Sequence, residues 1–446
     1  MALVFTSSII QRMFKTTWNI KKVLLLGRVL TRSGDQAWDF AVPLAILKLV
    51  PGELQYAALY YFLIRLANVL FFPKTAKLID RLSRFSAAKH GISIQLAGVI
   101  IGFSSLYYLS AIDFAHSSLS LKSSLILSLL VLGGILGSLG SSFMDIAIAN
   151  DLVPASVKED ELASFNARLR QVDLFTELCA PILAGWLLTF ETSQSILFGF
   201  SLIALWNLIS FFPEYFLLKL IFNKNPELSQ KKIVPSKEIR TSLFDKLTKG
   251  WRTFLSQPIA IVSLAYASLW LSVLSPHGVL LTGFLKDGWS LPEWGIGLFR
   301  GLGGFFGLSA TLLFPLISRK LGLEKASRFF LGFQLVTVSL ALIFFFQSAF
   351  IFKVLFLGLI LLSRIGLYGF SLGEVQIRQV YIREEVRGEF NGFASALTAV
   401  ATLGLYGGGA LLPETKDFSY LVVISVFMVI VGYVLFNLWL NKKEKY

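Results

Sequence analysis

Apolar stretches of roughly twenty residues recur along this whole chain, the length an α-helix needs to cross the hydrocarbon core of a bilayer. About twelve are readable, near 24–50, 54–73, 86–110, 122–149, 163–190, 194–222, 257–284, 292–318, 325–348, 350–378, 388–412 and 418–440. They are long and lack the ten-residue dyad alternation of a membrane barrel, so they read as helices. Composition agrees: 55% of the residues are hydrophobic and only 15% are charged, against roughly 25% charged in soluble domains. The expected fold class is an all-α polytopic membrane protein.

The net charge of +14 raises the question of nucleic acid, which its distribution answers. Lys and Arg crowd the N-terminal segment, the turn from Lys74 to Lys89, the stretch 219–252 (nine Lys/Arg against three acids), the turn from Arg319 to Arg328, and the C-terminal tail. The alternate loops hold little beyond Lys48, Lys122, Lys286, Lys353 and Lys416. That asymmetry is the positive-inside pattern; it places both termini in the cytoplasm and the chain in the cell (inner) membrane, with the bilayer as its partner and no nucleic acid. The single cysteine, Cys179, excludes an internal disulfide and reads as a packing residue. The first twenty residues lack the charged-then-apolar pattern of a cleavable signal.

The only long polar stretch falls at the midpoint, with six apolar stretches on each side. It divides the chain into an N-terminal segment (1–22), a six-helix half (23–222), a cytoplasmic linker (223–252), a second six-helix half (253–440) and a tail (441–446). Twelve helices in two halves joined by a long cytoplasmic linker is the layout of major facilitator transporters, whose halves rock around a mid-membrane site. Asp80-Arg81, in Ala76-Lys77-Leu78-Ile79-Asp80-Arg81, sits where that superfamily commonly has a Gly-x-x-x-Asp-Arg loop, although Ala76 replaces the glycine.

Asp35 lies near the start of the first stretch. A carboxylate in a membrane span is costly and marks a pathway or a binding site by default. Thr31 lies four residues before it, on the same helix face. Several runs then resemble the ferroportin family of iron exporters: Ser33-Gly34-Asp35-Gln36-Ala37-Trp38-Asp39-Phe40-Ala41-Val42, Leu162 through Asp173 with Ala180-Pro181 following, Trp206-Asn207-Leu208, Glu214-Tyr215, Arg364-Ile365-Gly366-Leu367-Tyr368, and Arg387-Gly388-Glu389-Phe390-Asn391-Gly392. These hits are collinear over about 30–440, and the long insertions of animal members are absent, which fits a compact bacterial-type member.

The resemblance implies that Gln95, Asn207, Ser210 and the carbonyl of Phe211 surround the same cavity as Thr31 and Asp35. That set joins one anionic ligand to neutral oxygens, suited to a hard or borderline divalent cation that must be released again. The competing reading is that the neutral residues are interhelical hydrogen-bond partners. Asp39, where animal members carry His, is expected just outside the ligands. In the other half, animal members use an Asp-Cys pair and a distant His; here Ser275 to Gly278 and Leu405 stand at those places. His277, in a Pro-Gly break expected to free backbone carbonyls, is therefore predicted to supply the second metal contact, with a structural or pH-sensing role as the competing reading. His90 and His116 read as solvated. Asp151 and Arg387 match a family pair that ties the two halves together on the inside, and Asp80, Arg81, Arg170 and Asp173 are expected in the same belt. Glu177 and Glu374 are internal carboxylates without a named partner.

The function expected is export of Fe²⁺, with Co²⁺, Mn²⁺, Ni²⁺ or Zn²⁺ as further substrates, by alternating access and with proton antiport as an open question. No resident cofactor and no obligate protein partner is expected, and the chain reads as a monomer. The alternatives are a facilitator-type carrier of an organic cation or drug, and a non-transporting receptor or scaffold. No nucleophile–base pair, Walker loop or Cys/His cluster points to an enzyme. The helix-break Cys through which animal members answer to a peptide hormone is absent.

Overall fold

The computed structural model describes residues 19–50, 53–110, 121–190, 197–229, 251–252, 254–382, 384–412 and 414–443, without the side chains at 72–77, 79–81, 149–150, 159–160, 162–164, 166–167 and 384–389. Most of the expected linker, at 230–250, and His116 lie outside the described residues. Among those described, the chain is helical almost throughout. The helices are α1 (Ile20–Leu49), α2 (Leu54–Arg81), α3 (Arg84–Ser110), α4 (Leu121–Asp145), α5 (Glu159–Leu188), α6 (Phe198–Lys224), α7 (Ala260–Leu269), α8 (Val279–Asp287), α9 (Glu293–Leu321), α10 (Leu323–Phe345), α11 (Phe350–Tyr381), α12 (Glu384–Leu411) and α13 (Phe418–Lys443).

Ten of these helices are long and apolar enough to cross a membrane. The other two expected spans depart from that criterion for physical reasons. α1 is a continuous helix of 30 residues, but it carries Arg28, Arg32, Asp35 and Asp39 within four turns. The seventh apolar stretch is two pieces, α7 and α8, of ten and nine residues. Pro276 cannot donate to a helical ladder, and the chain breaks between Trp270 and Gly278.

The chain packs as two compact units: Met1–Pro51, Leu66–Val234 and Pro292–Leu298 form one, and Gly52–Arg65, Pro235–Leu291 and Phe299–Tyr446 form the other. In the first, α1 lies against α5 and α6, and α3 runs along α4. The α3–α4 seam is built from glycines: a Cβ on Gly98 would stand 2.4 Å from the backbone nitrogen of Gly137, and one on Gly133 would stand 2.6 Å from that of Gly102. Small residues four apart let membrane helices approach backbone to backbone. After α4 the helix widens into a π-helical stretch, Ile146–Leu152, a departure often found at functional sites.

In the second unit α10 runs along α11 and α7 packs on α13. Aromatic rings fill its core, with Phe284 stacked on Phe418 at 4.4 Å. Arg364 of α11 seals the helix break, its guanidinium donating to the carbonyl of Leu274 at 2.9 Å. The Val273 amide bonds to Ser425 Oγ of α13 at 2.8 Å.

Candidate metal centre

The site grows from one turn of α1. Asn19 caps the helix by accepting a hydrogen bond from the Lys21 amide at 2.9 Å, and the buried face then reads Thr31, Gly34, Ala37, Phe40 and Ala41. Gly34 brings α6 close: a Cβ there would meet Asn207 Oδ1 at 3.1 Å and Ser210 Oγ at 3.3 Å. Asn207 Nδ2 donates to the Gly34 carbonyl at 3.1 Å. Ser210 Oγ turns back to the carbonyl of Asn207 at 2.7 Å.

One residue further, the Asp35 carboxylate meets two other helices. Gln95 of α3 donates to its Oδ1 at 3.2 Å. Ser141 of α4 donates to its Oδ2 at 2.7 Å. Arg32 lies 3.9 Å from the same Oδ2. The Thr31 hydroxyl lies within hydrogen-bonding reach of two acceptors, the carbonyl of Gly27 on its own helix and the carboxylate of Glu214 on α6, and its single proton serves one of them at a time. Glu214 is 1% exposed, so this is a second carboxylate inside the bundle.

Two acceptors and two arginines complete the surroundings. Arg28 binds both Asp145 and Asp173, and Arg32 reaches Asp145 at 2.5 Å and Asp173 at 3.5 Å. The four carboxylates Asp35, Asp145, Asp173 and Glu214 thus face two guanidinium groups, Arg28 and Arg32. With every group ionised the cluster carries two net negative charges. Beside it, Gly27, Arg28, Thr31, Asp145, Glu214 and Leu217 are among the residues lining a small cavity.

Three oxygen acceptors around this turn, Gln95 Oε1, Asn207 Oδ1 and Glu214 Oε2, are buried without a hydrogen-bond partner among the described residues. Buried polar atoms are nearly always satisfied, and carboxylate and amide oxygens are ligands of hard divalent cations. Among the described residues no group of three or more His, Cys, Asp or Glu side chains is arranged to hold a metal ion by itself. An ion held here draws on amide and hydroxyl oxygens as well as on carboxylates.

The structure therefore gathers Thr31, Asp35, Gln95, Asn207 and Ser210, with Phe211 buried on the same helix. Asp39, one turn beyond Asp35, is exposed. Five residues of the cluster, Arg28, Arg32, Ser141, Asp145 and Glu214, were not assigned to it from the sequence, and two of them carry a signal at helical spacing. Glu214 follows Asn207 by seven residues and Ser210 by four, on one face; Ser141 precedes Asp145 by four.

His277 stands apart, in the second unit. It is buried at the break, and a Cβ on Gly303 of α9 would lie 3.3 Å from its Nε2. Three of the backbone carbonyls expected to be freed there are taken internally. Val273 accepts from the Ser275 amide and Ser275 from the Gly278 amide, each at 2.8 Å, and Leu274 accepts from Arg364. Arg300 and Arg364 both act electrostatically on His277, an environment that opposes a resident dication.

Of the residues expected in a gating belt, Asp173 joins Arg28 and Arg32 beside Asp35, and Asp151 bonds to Arg84 Nε at 2.7 Å. Arg170 is exposed. The side chains of Asp80, Arg81 and Arg387 lie outside the described residues. Glu374 finds partners the sequence did not reveal: Ser263 at 2.8 Å and Arg378 at 2.9 Å.

A polar, acidic centre inside a bundle of membrane-length helices defines a multi-pass transporter of the major facilitator fold, not an enzyme. The chain belongs to the ferroportin family: the family profile Ferroportin1 (FPN1) matches residues 19–429. It is similar to ferreportin of Bdellovibrio bacteriovorus, 46% identical over 424 residues that cover 95% of each protein. The crystal structure of a bacterial homologue of iron transporter ferroportin in the inward-facing state superposes with a TM-score of 0.86 at 45% identity, covering 95% of this chain and 99% of that one. The outward-facing state of a bacterial homologue with soaked iron gives 0.65 at the same identity, with the same shares covered.

Proposed function

We propose that this chain exports Fe²⁺ from the cytoplasm by alternating access, and that the ion binds at the Asp35 turn of α1. The observation that carries the site is the set of three buried, unsatisfied acceptors, Gln95 Oε1, Asn207 Oδ1 and Glu214 Oε2, on helices that meet Asp35 and its neighbours. With every group ionised, the cluster's two net negative charges match a divalent ion, so a loaded site is neutral. Thr31, Ser210 and the Phe211 carbonyl are the remaining oxygens proposed to line the ion's path, and Asp39 stands outside them. An oxygen-rich set also admits Mn²⁺, Co²⁺, Ni²⁺ and Zn²⁺ as competing substrates, in an order set by the ligands available.

For the second unit we assign His277 a passing contact, because Arg300 and Arg364 oppose a resident cation there. Asp80, Arg81, Asp151, Arg170, Asp173 and Arg387 are proposed as the charged belt that must reorganise when the protein opens to the cytoplasm. The distribution of Lys and Arg supports cytoplasmic termini in the inner membrane. The chain works as a monomer in this reading, and protons returning to Asp35 or Glu214 as the metal leaves supply the route for antiport.

The test is flux. Purified protein in liposomes holding a metal-quenched dye should pass Fe²⁺, and a pH indicator inside the vesicles should report counter-moving protons. Vesicles that pass organic cations and no metal would contradict the assignment.

A further inference from the structure

Arg32 is the cation closest to the proposed ligand carboxylate, and it is held by three acids at once. Its Nη2 bonds to Asp145 at 2.5 Å, its Nε faces Asp173 at 3.5 Å, and its Nη1 stands 3.9 Å from Asp35 Oδ2. Only the Asp145 contact is a hydrogen bond; the other two are longer-range charge contacts, and the one with Asp35 is the loosest of the three. Asp35 Oδ2 is meanwhile fixed by Ser141, and its Oδ1 by Gln95. The guanidinium is always charged, so it cannot leave the site by losing a proton.

Resting on the metal site proposed above, we infer that Arg32 is a built-in counter-cation that limits how tightly Asp35 holds the transported ion. Without metal, Arg32 partly neutralises Asp35. When a divalent ion takes the carboxylate, Arg32 gives up only the 3.9 Å contact and stays on Asp145 and Asp173. It then faces the ion as a like charge at close range. That repulsion weakens binding and favours release, which a transporter needs more than tight capture. Asp145 sets the balance, because it draws Arg32 off Asp35.

Anaerobic Fe²⁺ binding and flux by the full-length purified protein test this. Arg32→Gln should lower the Kd by about tenfold or more, since a like charge beside the ion is gone. Its flux should rise at low Fe²⁺ and fall at saturating Fe²⁺, a split between KM and kcat that mere loss of packing does not produce. Arg32→Lys should stay within about threefold of wild type, because it keeps the charge. Asp145→Asn should raise the Kd about fivefold more than Asp173→Asn, which removes the same charge but a looser hold on Arg32; this comparison decides the matter if Arg32→Gln does not fold, and an equal rise in the two variants would overturn the inference. Unchanged or weakened binding in Arg32→Gln, or unchanged or tighter binding in Asp145→Asn, would overturn the inference. Asp35→Ala separates it from the underlying site. Binding lost in that variant, with Arg32→Gln at wild-type Kd, removes only the role of Arg32; wild-type binding in Asp35→Ala removes the site itself.

Discussion

Ser141 on α4 donates a 2.7 Å hydrogen bond to the Oδ2 of Asp35 on α1. That bond, with the Gln95 contact on the other oxygen, fixes the plane of the carboxylate and decides which way its lone pairs face. A carboxylate that must capture and release an ion benefits from a fixed orientation, because the ion then finds the same geometry at each cycle.

Ser141→Ala should therefore reduce Fe²⁺ flux to about a third without unfolding the protein, the loss of one charge-assisted hydrogen bond being worth only one to three kcal/mol. Flux measured at several Fe²⁺ concentrations, with size-exclusion chromatography as the folding check, decides it. Undiminished flux would mean that Gln95 alone orients Asp35.

Glu214→Gln keeps the shape and an acceptor for Thr31 but removes the charge. If Glu214 supplies the second negative charge of the site, Fe²⁺ affinity should fall about tenfold to a hundredfold while thermal stability stays level or rises, because burying an ionised group is costly. Calorimetric titration and a melting curve on the same sample report both effects. A fall in stability with unchanged affinity would make Glu214 a structural partner of Thr31.

The α3–α4 seam gives a packing prediction. A Cβ on Gly98 would fall 2.4 Å from backbone nitrogen and 2.7 Å from a backbone carbonyl oxygen, and backbone cannot move aside as a side chain can. Gly98→Val should force the helices apart at a cost of about 2 kcal/mol or more and carry Gln95 and Ser141 away from each other. Folded yield in detergent and Fe²⁺ binding should fall together.

At the entrance to α5, outside the membrane-length segment, the hydrogen bond and charge of Lys21 hold the Glu161 carboxyl below its ordinary range. A depressed carboxylate pKa contributes stability above the unfolded-state pKa, and that contribution is lost as pH falls through the folded-state value. Lys21→Gln should raise the Glu161 pKa toward its ordinary value and flatten the acid side of the melting-temperature profile. An identical profile in the variant would show that the pair is inert.

Particular residues show how far the sequence could be read. Asp35 and Thr31 were legible because a carboxylate in an apolar helix stands out and helical spacing names its neighbour. Asn207 and Ser210 came from resemblance, and Gly34, which lets both approach α1, carries no chemistry of its own. Ser141 and Glu214 were harder: a serine in a glycine-rich helix looks like packing, and Glu214 looked like part of a family motif until Thr31 met it. The break at Pro276 was legible, but its consequence was not. Which atom fills a broken ladder depends on a residue 90 positions away, Arg364, and local pattern cannot reveal that.

The ten apolar spans were readable by length and hydropathy. α1 resists that criterion because Arg28, Arg32, Asp35 and Asp39 interrupt its apolar run, and three of them belong to the proposed site. Strong local rules fail where the helix gives up apolarity for function.

The central claim is that Asp35 is the anionic ligand of the transported metal, and Fe²⁺ flux into dye-loaded liposomes by Asp35→Ala beside wild type tests it most directly. The account predicts that wild type quenches the dye and that Asp35→Ala, folded and incorporated at equal density, loses most of the flux. Flux in Asp35→Ala equal to that of wild type would contradict it.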